Sequence, residues 1–185
     1  MNLLVVIIIK LYSGLNIKDL EFLGAGTQGK VYKIDSQKCI KIFKRKEICA
    51  DEIETLAIAQ KDSHFPKLYS FGEDYIIREY INGVELDKYL SSHSLTQNIS
   101  KKIMELYEAM DFVGYTRLDA APFHIFLTPL GEIKLIDTAR AMKKSTIYPT
   151  LIIQCLSKLG YKKQFFNFVK DSNPELYAEW LKYIK

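Results

Sequence analysis

The sequence predicts an α+β chain in two lobes, a strand-rich one followed by a helix-rich one, and three observations carry that expectation. Residues 19–81 read mostly as short strands broken by glycine turns, with one helical stretch among them. After Gly83 the apolar residues recur at helical spacing, interrupted by a single short hairpin. The composition is that of an ordinary globular chain: 185 residues, 48% hydrophobic and 26% charged, which excludes disordered, collagen-like and coiled-coil classes. The length fits one domain of residues 1–185, divided into lobes of about 16–81 and 84–185 with a hinge near Ile81–Gly83.

Each element has its own signal. Leu20, Phe22 and Leu23 lead into a glycine-rich turn, and Val31-Tyr32-Lys33-Ile34 leaves it as a β-branched and aromatic strand. Cys39-Ile40-Lys41-Ile42-Phe43 alternates at period two. Between Glu47 and Lys61, Ile48, Ile53, Leu56 and Ala59 fall at helical spacing. Leu68–Phe71 and Tyr75–Glu79 form a hairpin around Gly72-Glu73-Asp74. A short helix is predicted over Val84–Leu90, and a longer one over Leu95–Phe112 with Ile99, Ile103, Leu106 and Met110 on one face. Ile125–Leu127 and Ile133–Ile136 then pair around Thr128–Gly131, and helices take up the rest from about Tyr148.

The first residues are a separate matter. Leu3–Ile9 are seven apolar residues in a row, far short of the ~20 that a membrane-spanning helix needs. Neither a basic leader before the run nor a small-residue cleavage site after it is clear, so a strand or a peripheral anchor are the readings. The formal charge of +4 is too mild for a dedicated nucleic-acid binder, though it suits an anionic ligand. Three cysteines, Cys39, Cys49 and Cys155, with no CxxC pair, speak against a disulfide framework or structural zinc and for a reducing cytoplasm.

Chemistry enters with the turn Gly24-Ala25-Gly26-Thr27-Gln28-Gly29-Lys30-Val31, which fits G-x-G-x-x-G-x-V. Glycines let a backbone approach a polyphosphate and aim N–H groups at it. A strand, not a helix, follows the turn, which favours a flap over phosphates rather than a dinucleotide fold; a plain glycine hairpin is the alternative. Ten residues after Val31, Lys41 stands alone in an apolar strand, facing the same way as Cys39 and Phe43, where an ammonium calls for an anion. An acidic helix with Glu52 and Glu54 follows closely.

These blocks resemble the N-lobe of the protein-kinase fold. Tyr75–Leu86 is similar to that family's fifth strand and hinge, where backbone groups near Glu79 and Ile81 would hydrogen-bond adenine. Asp119-Ala120-Ala121-Pro122-Phe123-His124-Ile125-Phe126-Leu127 resembles the catalytic loop D-L-K-P-x-N-I-L-L, and Ile133-Lys134-Leu135-Ile136-Asp137-Thr138-Ala139 the K-L-x-D-F-G strand. Glu52 is preferred to Glu54 as the partner of Lys41, because Leu56 and Ala59 then complete an E-x-x-x-L-x-x-A run similar to that of small atypical kinases.

The departures from the family are specific. HRD reads Arg117-Leu118-Asp119, the loop lysine is Ala121, and His124 stands where a metal-binding asparagine is expected. The phenylalanine and glycine of DFG become Thr138 and Ala139. Only 48 residues follow Asp137, a short C-lobe that resembles the small atypical kinases of RIO type. The resemblance implies transfer of the ATP γ-phosphate to a serine or threonine hydroxyl of an unidentified protein, itself included. Gly24–Val31 would cover the triphosphate, and Lys41, held by Glu52, would bind its α- and β-phosphates. Asp137 with His124 would take Mg2+ or Mn2+, and Asp119 would receive the hydroxyl proton. A pseudokinase that binds nucleotide without turnover, a pure interaction scaffold and a small-molecule kinase are the alternatives. The remaining histidines, His64 and His93, read as surface residues. Phe165, Phe166, Phe168, Tyr177 and Trp180 read as core or as a partner surface, and the pairs Lys143-Lys144 and Lys162-Lys163 as solvated.

Overall fold

Residues 11–184 are described in the computed structural model, so the apolar run Leu3–Ile9 lies outside the described residues. The chain divides into two units. One takes the described residues through Ala50 together with Leu68–Tyr80; the other takes Asp51–Lys67 together with Ile81 onward.

In the first unit, a two-residue hairpin of β1 (Leu11–Tyr12) and β2 (Leu15–Asn16) turns through Ser13 and Gly14, both at positive φ. β3 (Glu21–Ala25), β4 (Gly29–Lys33) and β5 (Lys38–Phe43) follow as a meander. The helix α1 (Lys46–Ile58) begins in this unit and ends in the other. β6 (Leu68–Phe71) and β7 (Tyr75–Glu79) return to complete a five-stranded antiparallel sheet in the order β3-β4-β5-β7-β6. Ile40 faces Ile77 across β5 and β7 and both are buried, as are Cys39, Phe43 and Ile76. The pleat sets the opposite face of β5 by alternation, so Lys41 shares a side with Cys39 and Phe43.

Gly29 is required by this packing. A Cβ there would stand 2.0 Å from the carbonyl oxygen of Ile42 on the paired strand. Gly29→Ala therefore has to part β4 from β5. Overpacking of this kind costs about 1–3 kcal/mol, read as a lower denaturation midpoint, whereas Gly24→Ala and Gly26→Ala meet no heavy atom within 4 Å and leave the midpoint in place.

The second unit is mainly helical. β8 (Val84–Glu85) runs straight into α2 (Leu86–Ser92), and α3 (Gln97–Phe112) is opened by the Thr96 hydroxyl, which accepts from the Ile99 amide at 3.2 Å. β9 (Ile125–Leu127) and β10 (Ile133–Leu135) form the expected hairpin, and β8 joins it in the order β10-β9-β8. The predicted helix over Val84–Leu90 thus starts two residues late. Val84 is drawn into pairing with Leu127, a partner that local periodicity cannot reveal.

α4 (Thr150–Lys158), α5 (Lys162–Ser172) and α6 (Pro174–Leu181) close the unit around Trp180. Trp180 is 1% exposed and meets Tyr107 edge-on at 5.2 Å, with Phe165 and Phe166 within 6.4 Å. Its indole N–H donates to the Ile147 carbonyl at 3.1 Å. Burial pushes the Tyr107 phenol up to about 12. Phe165, Phe166 and Trp180 are core, as their helical spacing suggests, while Phe168 and Tyr177 are half-buried. His93 is exposed, but His64 is half-buried because Asp62 accepts from both its backbone and its ring at 2.8 Å. Cys39, Cys49 and Cys155 form no disulfide among the described residues, and Cys39 and Cys49 are buried. No helix among the described residues is long and apolar enough to cross a membrane.

Candidate functional site

The candidate residues fall in both units. Gly24, Ala25, Gly26, Thr27, Gln28, Gly29, Val31, Lys41 and Glu79 lie in the first; Glu52, Ile81, Asp119, His124 and Asp137 lie in the second.

In the first unit the glycine turn is a true strand–turn–strand flap. β3 and β4 pair from Glu21↔Lys33 to Ala25↔Lys30, with a register shift between Phe22 and Gly24. The Gly26 amide donates to the Gly29 carbonyl at 2.9 Å and closes the turn. Lys44 then holds the turn from β5's end: its amide donates to the Gln28 carbonyl at 2.8 Å, and its ammonium reaches the Gly26 carbonyl at 3.1 Å. Lys41 is 6% exposed, and its ammonium donates to the Gln28 side-chain oxygen at 3.3 Å and lies 4.7 Å above the Phe43 ring. Gln28, singled out only as one residue of the glycine motif, is thus an acceptor presented to Lys41 by the flap itself.

At the far end of the same sheet face stands a residue that sequence reasoning passed over. Arg78 is 5% exposed and lies opposite Cys39. Its Nη1 and the Cys39 thiol both approach the Glu79 carbonyl oxygen, at 3.5 and 3.6 Å. The Arg78 Nε has no hydrogen-bond partner among the described residues. A basic residue inside a strand of isoleucines gives no periodic signal apart from its own charge.

In the second unit the Asp119 loop is fixed at both ends. A parallel bridge joins Arg117 to Thr146, the Leu118 amide donates to the Thr146 carbonyl at 2.8 Å, and the Thr146 amide returns to the Thr116 carbonyl at 2.9 Å. α4 starts behind Pro149, whose side chain can cap nothing, and Asp119 supplies the missing acceptor: its Oδ1 takes the Leu151 amide at 2.8 Å. A carboxylate is the favoured group at a helix N-terminus. Asp119 Oδ2 stands 3.7 Å from the Arg117 guanidinium. One oxygen is therefore committed to the helix while the other faces a cation.

A 3-10 turn, Pro122–His124, carries the chain from Asp119 into β9, and the Ile136 amide donates to the His124 carbonyl at 2.9 Å. That bond brings the end of β10 against the turn, so that His124 Nε2 comes within 3.7 Å of Asp137 Oδ2. Asp137 itself has φ +63, in the left-handed region that aspartate tolerates better than most residues. Glu52 is buried at 1% exposure on α1.

No family model matches the sequence, and no curated protein matches it. Solved structures do. The kinase domain of PknI from Mycobacterium tuberculosis, crystallised as a point mutant, superposes with a TM-score of 0.53 at 20% identity, covering 74% of this chain and 65% of that one. WbdD, solved with a kinase inhibitor, superposes with a TM-score of 0.54 at 19% identity, covering 86% of this chain and 40% of that one.

The fold is protein-kinase-like.

The chain spans less than two thirds of either kinase-like structure. Within the kinase-like frame, the strand-rich unit carries the glycine flap and Lys41, and the helical unit carries Asp119 and Asp137. Thr138, which the motif resemblance sets where DFG has its phenylalanine, is 3% exposed, and its hydroxyl lies 2.9 Å from that of Thr55 on α1.

Proposed function

We propose that this chain is an ATP-dependent phosphotransferase that passes the γ-phosphate to a serine or threonine hydroxyl of a protein. The observation that supports this reading best is the order of the helical unit's two carboxylates. Asp119 is fixed by a helix amide on one oxygen, and Asp137, just past the end of β10, is itself a left-handed residue beside His124. Phosphoryl transfer asks a protein chiefly to position groups and neutralise charge, which a few rigidly held side chains can do.

The roles follow from the chemistry of each group. Lys41, already offered an acceptor by Gln28, would exchange it for phosphate oxygens, and the open Gly24 and Gly26 would let the flap's amides approach the triphosphate. Asp119 would orient the acceptor hydroxyl through Oδ2 and receive its proton. A divalent cation fits Asp137, since a carboxylate oxygen suits Mg2+ or Mn2+; the His124 imidazole is a poorer ligand for so hard an ion and instead steadies the carboxylate. When bound there, such an ion would supply neutralisation of phosphate charge.

A second reading has an observation in its favour. His124 stands in place of an asparagine and Asp119 Oδ1 is spent on a helix cap, as would suit a nucleotide-binding protein without turnover. Release of ADP from ATP and Mg2+, measured against Asp137→Ala, separates the two. Turnover by the wild type alone supports the transferase, and binding of ATP with no ADP release by either protein supports the second reading.

A further inference from the structure

We propose that Thr138 is a positioning residue that locks the Asp137 segment to α1 through its hydroxyl, in a polar latch with Thr55 and Tyr115. The proposal rests on the phosphotransferase reading for what Asp137 does, and on the helical unit alone for the latch.

The donors and acceptors can be assigned. The Thr55 hydroxyl lies 2.9 Å from the Asp51 carbonyl and 3.2 Å from the Glu52 carbonyl, one turn back on α1. Carbonyls only accept, so the single Thr55 proton goes to them. With the Thr55 proton held there, Thr138 is the donor in the 2.9 Å bond between the two hydroxyls, and the Tyr115 hydroxyl also lies within side-chain hydrogen-bond reach of Thr138. Both hydroxyls are buried, at 2% and 3% exposure, where an unmade bond has no water to replace it.

Two further ties bear on the same stretch. The Tyr115 hydroxyl donates to the Thr55 carbonyl at 3.0 Å, and burial pushes that phenol well above its ordinary range, which keeps it a donor. Asp51, one turn before Thr55 on the same helix face, pairs with Lys143 at 2.7 Å. Beyond Thr138 the chain turns back at once, with the Ala141 amide donating to the Thr138 carbonyl at 2.8 Å. Asp137 thus sits between an anchored strand and an anchored turn, at a left-handed backbone angle that its surroundings must hold. Thr138 is the residue that holds it. Where the related motif has a phenylalanine, contact would be apolar and tolerant of direction; a hydroxyl bond is directional, and a swing of the segment strands a buried donor.

The test compares the full chain with Thr138→Val, which keeps shape and loses the hydroxyl, and Thr138→Ser, which keeps the hydroxyl. Amide hydrogen exchange over residues 137–141 reads the latch without any chemistry, and titration of Mn2+ in the presence of ATP reads Asp137. For Thr138→Val the exchange over 137–141 rises roughly 5–10-fold while α3 and α5 are unchanged, and Mn2+ binding weakens about 10–100-fold, as for other residues that orient a metal ligand. Thr138→Ser stays near wild type in both. Unchanged exchange in Thr138→Val overturns the latch. Faster exchange with unchanged Mn2+ affinity overturns the positioning role. A wild type that binds neither Mn2+ nor ATP overturns the phosphotransferase reading and the positioning role together, and the exchange data then still decide whether the latch exists.

Discussion

Asp119→Asn is expected to lose phosphoryl transfer while keeping the fold. Asparagine caps helices as well as aspartate does, so its amide oxygen can still accept the Leu151 amide and α4 still begins where it does. What it cannot do is take up a proton. Loss of a general base typically lowers turnover by about 10²–10⁴, and the melting temperature should stay where it was. Asp119→Ala removes both functions. The lost cap costs about 1 kcal/mol, a fall of about 2–4 °C in a chain of this size. The pair of variants separates the two duties that one carboxylate carries, and an active Asp119→Asn enzyme would remove Asp119 from the chemistry and leave it a cap.

The largest loss of stability is expected at Trp180. It is the chain's single tryptophan, with its ring enclosed by Tyr107, Phe165, Phe166 and Tyr148 and its N–H satisfied by Ile147. Trp180→Ala leaves a cavity and takes the donor from the part-buried Ile147 carbonyl, and substitutions of this type cost about 3–5 kcal/mol. At a few degrees per kcal/mol the melting temperature should fall by roughly 6–20 °C, measured by circular dichroism because the fluorophore is gone. Trp180→Phe keeps most of the packing and should lose far less. An equal loss in both variants would put the weight on the indole hydrogen bond.

The strand-rich unit was legible in the sequence because its signals are local. Alternation through Cys39–Phe43, the glycine turn and the Gly72–Asp74 hairpin each lie within a few residues, and all five strands of its main sheet stand where those signals put them. The blocks around Asp119 and Asp137 resemble motifs in the sequence for the same reason. What was illegible is what depends on distant partners. β8 exists because Val84 meets Leu127, 43 residues on. Asp119 caps a helix through an amide 32 residues later, and Thr55 meets Thr138 across 83 residues. The two-residue strands β1 and β2 are too short to show any period. A threonine in place of a phenylalanine reads in sequence as a damaged motif; only its neighbour Thr55 gives it a duty of its own.

Incubation with ATP labelled on the γ-phosphate, in Mg2+ or Mn2+, tests the central claim most directly, with wild type, Lys41→Ala and Asp137→Ala side by side. The account predicts label on a serine or threonine of the wild-type chain or of an added protein acceptor, and none from either variant. Label transferred equally by all three would show that Lys41 and Asp137 are not the groups that hold the nucleotide. No label from the wild type under either metal, with ATP still bound, would contradict the account and leave a nucleotide-binding protein in its place.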